Sequence, residues 1–218
     1  MTKVFISRKL AEYSPFRNLD NISIIGKSLI EITPLEFELP QTDWVFFYSK
    51  NGVESFFKKP GVVLIPYKWG ALSSGTAGEL KKYVQDIEFV GNTDLEISIA
   101  DQFQKVLGEH ESCCFIRAKN SKDSVLKEME NTNCFSTPTY NNTPVNESFI
   151  EKFDILIFTS SLNAKAYFAK NEYAGQPVIA IGKPTEKTLR NIGVEKIYIA
   201  ENPTEESMVD ILKELIKS

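Results

Sequence analysis

The sequence holds a single histidine, His110, and three cysteines, Cys113, Cys114 and Cys134. Any site that needs two imidazoles is therefore impossible. One histidine suffices for a Ser–His–Asp arrangement, but His110 lies in the polar connection Gly108-Glu-His-Glu-Ser112 and reads as inert. Two of the cysteines are adjacent and no CxxC spacing occurs, which argues against a zinc site or a disulfide framework and suits a reducing compartment. No apolar run approaches the roughly 18–20 residues of a membrane span. Residues 1–15 lack the apolar stretch of a signal peptide, so a cytoplasmic chain is expected. A basic surplus is also missing: 25 Lys and Arg stand against 29 Asp and Glu. That balance does not suit a non-specific nucleic-acid binder.

What is present is an ordinary globular balance, 42% hydrophobic and 25% charged over 218 residues, enough for one large domain or two small ones. Short apolar runs fall at 4–6, 29–32, 44–48, 69–72, 87–90, 113–116, 154–158, 177–181 and 196–199. They are rich in Val, Ile, Phe and Tyr, as buried parallel strands are. Between them lie amphipathic stretches. Leu95, Ile99, Phe103 and Val106 predict a helix over 92–107, and Met208, Ile211, Leu212 and Ile216 one over 204–216. The alternation predicts an α/β fold with parallel sheets.

The pattern repeats at an offset of about 110 residues. The strand, hydroxyl cluster and helix around Ser49 match those around Ser160, and those around Thr76 match Thr185. Val4-Phe-Ile-Ser-Arg8 resembles Cys114-Phe-Ile-Arg-Ala118, and Glu31-Ile-Thr-Pro-Leu35 resembles Ser136-Thr-Pro-Thr-Tyr140. These matches predict two similar doubly wound parallel-sheet domains. One is discontinuous, 1–34 plus 146–218; the other, 41–136, is inserted. Linkers at 35–40 and 137–145 are expected to pair as a two-stranded antiparallel ladder.

Parallel sheets bind ligands beyond the carboxyl ends of their strands. The residues there are Arg8, Ser49, Asn51, Thr76, Arg117, Lys119, Ser160 and Thr185. They are hydroxylated, amide-bearing or basic, and several open a helix, whose free N–H groups and dipole favour anions. A polyanionic ligand suits such a set. Helix capping explains Ser49, Thr76, Ser160 and Thr185 as well, and solvated surface charge explains Arg8, Arg117 and Lys119. Ser73-Ser-Gly-Thr-Ala-Gly78 lacks the lysine of a P-loop, so a nucleotide or flavin is not expected. Tyr140 lies in the second linker, where a phenol can reach a cleft or simply pack at a hinge.

Taken together these segments resemble the uroporphyrinogen-III synthase family. The resemblance runs through Val4-Phe-Ile-Ser-Arg8, Phe47-Tyr-Ser-Lys-Asn-Gly-Val53, Phe115-Ile-Arg-Ala-Lys119, Thr139-Tyr140, Phe158-Thr-Ser160 and Ile179-Ala-Ile-Gly-Lys-Pro-Thr185. It implies two α/β domains with the active site between them, no cofactor and no metal. The implied substrate is the linear tetrapyrrole hydroxymethylbilane, closed with inversion of ring D through a spiro-pyrrolenine. It also implies Tyr140 as the acid near the departing hydroxyl, and Ser49, Thr76, Ser160 and Thr185 as groups that hold carboxylates or orient ring D. Two slender crossings imply easy domain hinging. A monomer is expected, with at most transient contact to the preceding enzyme. The alternative is a two-domain protein that binds a small polyanion without catalysis.

Overall fold

The structure, a computed structural model, describes residues 1–60, 67–92, 95–130 and 133–217. In chain order the strands are β1 (Thr2–Ile6), β2 (Ile22–Gly26), β3 (Ile30–Pro34), β4 (Trp44–Phe47), β5 (Lys68–Ala71), β6 (Phe89–Val90), β7 (Cys113–Ala118), β8 (Cys134–Pro144), β9 (Ile155–Phe158), β10 (Val178–Ala180) and β11 (Ile197–Ile199). The helices are α1 (Lys50–Phe57), α2 (Ser74–Leu80), α3 (Ile99–Gln104), α4 (Ser124–Glu128), α5 (Ser161–Phe168), α6 (Lys183–Ile192) and α7 (Glu205–Lys217). The chain forms two compact units: Met1–Glu31 with Thr143–Ser218, and Ile32–Asn142.

The first unit carries a sheet in the order β11-β10-β9-β1-β2, parallel throughout. The second carries the order β3-β8-β7-β4-β5-β6, parallel from β8 to β6. Set against each other, β9, β10, β11, β1 and β2 hold the places of β4, β5, β6, β7 and β8. The topological counterpart of β8 is thus β2, not the segment Glu31–Leu35 that sequence similarity suggests. The run Ile22-Ser-Ile-Ile-Gly26 is an edge strand of half-buried residues, which is why its apolar signal is weak.

Strands form where short apolar runs meet burial on both faces. Val45 and Phe47 enter one cluster with Phe56, Leu80 and Ile116; Trp44 and Phe46 enter the other with Phe89, Phe103 and Phe115. In the first unit Phe5 joins Phe158, Tyr167 and Leu189, while Val4 and Ile6 join Ile157, Met208 and Leu212. This period-two division covers both faces of each sheet with helices. Four helices start at a serine whose hydroxyl accepts the N–H three residues on: Ser49 from Gly52, Ser73 from Thr76, Ser98 from Asp101 and Ser160 from Asn163. Ser98 explains a departure from the expected helix over 92–107, of which residues 93 and 94 lie outside the described residues. Its cap starts α3 at Ile99 and leaves Leu95 and Ile97 exposed. The apolar run at 87–90 likewise yields a strand of just Phe89–Val90. Residues 35–40 form no strand; β3, slightly earlier, lies beside β8, and Leu35 donates its N–H to the Thr139 carbonyl at 2.9 Å.

At the amino ends of β4, β5 and β7, Glu111 ties three segments together. Its carboxylate pairs with Lys68, accepts the Trp44 indole N–H at 2.7 Å and accepts the Gly108 N–H at 3.0 Å. The Lys68 hydrogen bond, then the indole, hold its pKa down to about 2, against an ordinary value of 4.5. A carboxyl depressed on folding stabilises fully above its unfolded pKa, and that contribution is lost as pH falls from about 4.5 towards 2. Glu111→Gln is therefore expected to lower the melting temperature most at neutral pH, with the difference from wild type shrinking below pH ~4. A pH series of thermal melts checks this; a difference independent of pH would contradict it.

Candidate active site

In the second unit the strand order runs from β4 through β5 to β6 one way and from β7 to β8 the other. The carboxyl ends of β4 and β7 therefore form a topological switch point, the usual ligand position in open α/β sheets. Ser49 follows β4 there. Its backbone is extended, and its hydroxyl accepts the Gly52 N–H at 3.1 Å as the cap of α1. On the β7–β8 pair a register shift sets Ala118 opposite Tyr140, with Thr139 as the extra residue. Lys119 donates its N–H to the Tyr140 carbonyl at 2.8 Å. The result places the Tyr140 hydroxyl 2.7 Å from that of Ser49. Burial raises the Tyr140 pKa above its ordinary value of 10, and the Ser49 hydrogen bond offsets part of that rise. The phenol is protonated at neutral pH.

The other sequence-predicted residues of this unit divide by environment. Asn51 and Lys119 are exposed, on α1 and just after β7. Thr76 is buried in the first turn of α2, where its N–H reaches Ser73 Oγ at 3.4 Å. Arg117 is engaged within the unit. Its Nε lies 2.9 Å from Ser136 Oγ and 3.0 Å from Asp123 Oδ1, and Nη1 donates to the carbonyls of Ala118 and Lys119 at 3.0 Å each. These bonds fix the turn after β7, which carries Asp123 at a left-handed φ of 52°. The Tyr48 hydroxyl accepts the Leu126 N–H of α4 at 3.0 Å, and burial pushes its pKa up to about 12. Lys50, between Ser49 and Asn51, is not among the residues singled out from the sequence. An added Cβ on Gly75 would meet its Cε at 3.5 Å and Nζ at 3.9 Å, so its ammonium leans over the start of α2.

In the first unit the order turns between β9 and β1. Ser160 follows β9 and caps α5, accepting the Asn163 N–H at 3.2 Å and the Asn163 amide at 3.0 Å. Asn163 Oδ1 in turn accepts the Leu29 N–H at 2.7 Å, a buried link between distant segments that the sequence does not announce. Thr185 is buried in the first turn of α6. Arg8 follows β1, but its Nη1 lies 3.1 Å from Glu205, whose other oxygen accepts the Ser14 hydroxyl at 2.6 Å. Glu205 thus joins the start of α7 to Arg8 and Ser14. Cavities of about 580 Å³ beside His110 and about 430 Å³ beside Phe149 and Phe153 lie at the amino ends of the strands, away from these residues. Among the described residues no His, Cys, Asp or Glu cluster could hold a metal ion, and no helix is long and apolar enough to cross a membrane.

The sequence profile described as uroporphyrinogen-III synthase HemD matches residues 23–210, most of the chain. The chain belongs to this family. Its activity is that of a uroporphyrinogen-III synthase, a cyclising hydro-lyase of heme biosynthesis whose substrate is a tetrapyrrole. A binding protein without catalysis is not favoured. The fold is similar to that of the uroporphyrinogen-III synthetase from Helicobacter pylori 26695, at 22% identity over 99% of this chain and 100% of that one, with a TM-score of 0.74. It is also similar to a mutant uroporphyrinogen III synthase from the extremely thermophilic bacterium Thermus thermophilus, at 14% identity over 100% of this chain and 99% of that one, with a TM-score of 0.65. No curated protein matches the chain.

Proposed function

We propose that in this uroporphyrinogen-III synthase Tyr140 donates the proton that lets the substrate hydroxyl leave. The observation that carries the reading is the Tyr140 phenol held 2.7 Å from the cap of α1, at the switch point of the second sheet. The phenol proton passes to the hydroxymethyl oxygen, the C–O bond breaks and water departs. The pyrrole nitrogen supplies the electron pair, giving an azafulvene. A substituted carbon of ring D attacks it to form the spiro-pyrrolenine, which fragments and recloses inverted. The free α-carbon of ring D then loses a proton as it rearomatises, which restores the phenol and balances the cycle. The substrate supplies its own electron push, so the protein contributes position and one proton.

The substrate carboxylates are assigned to the carboxyl edges of each sheet. In the second unit the candidates are Lys50, Asn51, Lys119 and the α2 start around Thr76. In the first they are Arg8 and the helix starts at Ser160 and Thr185. Arg117, with its guanidinium engaged by Ser136 and Asp123, serves by fixing the turn that presents Lys119. The two units are read as the two domains, and the enzyme as a cytoplasmic monomer. Its three free cysteines fit a reducing compartment. The test supplies hydroxymethylbilane to wild type and to Tyr140→Phe, oxidises the products and resolves the type I and type III isomers. Type III formation that survives at full rate in a folded variant would remove Tyr140 from the reaction.

A further inference from the structure

We infer that Ser49 is a positioning residue for Tyr140 rather than a carboxylate ligand: its hydroxyl donates to the phenol oxygen and leaves the phenol proton facing the substrate. The inference rests on the reading of Tyr140 as proton donor. Three observations carry it. The two hydroxyls lie 2.7 Å apart. Ser49 Oγ already accepts the Gly52 N–H at 3.1 Å. Ser160, at the same place in the other unit, makes the same backbone cap but turns to the Asn163 amide instead of a phenol.

Donor bookkeeping permits this direction of the shared hydrogen bond, and the proton-donor role of Tyr140 requires it. A serine hydroxyl has one proton and two lone pairs. With one lone pair engaged by the amide, Ser49 can still give its proton to Tyr140. If Tyr140 donated to Ser49 instead, the phenol proton would point at the protein and be unavailable to a leaving group. A desolvated phenol alone is a poor acid, because its phenolate has no water to stabilise it. A donor already in place changes that. The Gly52 amide, at the positive end of α1, polarises the Ser49 O–H, which then stabilises the phenolate oxygen as charge develops. Both residues are fixed by backbone features, the α1 cap and the β8 register shift, so little reorganisation is needed.

The experiment compares Ser49→Gly, Ser49→Thr, Tyr140→Phe and the double variant Ser49→Gly/Tyr140→Phe in the full chain. Glycine is a competent cap, so Ser49→Gly removes the hydroxyl while sparing α1, and threonine restores it. A hydrogen bond to a charged group corresponds to about 10- to 100-fold, so Ser49→Gly should lower kcat for type III by that factor with KM nearly unchanged. Ser49→Thr should recover most of it. In the Tyr140→Phe background the same glycine should cost nothing further. Ultraviolet difference titration, with Tyr140→Phe subtracted to isolate this phenol, should show Tyr140 ionising at higher pH in Ser49→Gly than in wild type. A raised KM with unchanged kcat, or losses that add in the double variant, would overturn the inference and make Ser49 a substrate ligand. Tyr140→Phe with full kcat would overturn the proton-donor reading, and this inference with it.

Discussion

Tyr140→Phe is expected to lower kcat for type III formation by about 100-fold or more, the usual scale for a lost general acid. KM should change little, because the phenol acts on the leaving group and not on the carboxylates. The product should change as well as the rate. Hydroxymethylbilane closes spontaneously without inversion, so a slowed enzyme yields ground to type I. The fold should tolerate the change. Ser49 keeps its bond from the Gly52 N–H, and phenylalanine fills the same buried space on β8. Isomer-resolved kinetics beside a thermal melt give the answer. A folded variant with wild-type kcat would show that substrate geometry alone expels the hydroxyl.

Phe46→Ala should have the largest effect on stability. Phe46 is fully buried in β4, and its ring lies 5.0 Å from that of Phe103 and 4.9 Å from that of Phe115. It also fills the space above Gly70, where an added Cβ would come within 2.7 Å of its ring. Gly70 has no side chain to move into the gap, and the surrounding core relaxes only in part, so a cavity remains. Removing a buried phenylalanine costs about 3–5 kcal/mol, a large share of the ~5–15 kcal/mol that holds a domain folded. Both tryptophans of the sequence, Trp44 and Trp69, lie in the same sheet, so indole fluorescence follows this unit alone. With a urea slope of about 1–3 kcal/mol per molar, the fluorescence midpoint should fall by more than about 1 M. An unmoved midpoint would mean that the core around Phe46 does not set the stability of this unit.

Much of the fold is legible because burial on both faces forces continuous apolar runs. Trp44-Val-Phe-Phe47, Cys113-Cys-Phe-Ile116 and Ile155-Leu-Ile-Phe158 leave little choice but interior strands. Legibility fails where burial is partial. The edge strand β2 carries a serine and half-exposed isoleucines, and the stripe from Leu95 to Val106 is interrupted by a cap at Ser98 that a periodicity argument does not weigh. The candidate site shows the same division. Ser49 and Ser160 are recognisable as residues that end a strand and open a helix. That Ser49 meets a tyrosine 91 residues away depends on strand order and on one extra residue in β8, and no local pattern encodes either. The partners of Arg117 and Arg8 are equally non-local. Asp123 and Glu205 reach them through the turn after β7 and the start of α7, which only the fold brings near.

What the protein makes from hydroxymethylbilane tests its activity most directly. The measurement is the ratio of type III to type I uroporphyrinogen, taken at short times after mixing the linear tetrapyrrole with purified wild-type protein and set against a protein-free blank. Type III is expected as the main product, formed faster than the blank forms type I. Type I alone, at the rate of the blank, from a folded protein would contradict it.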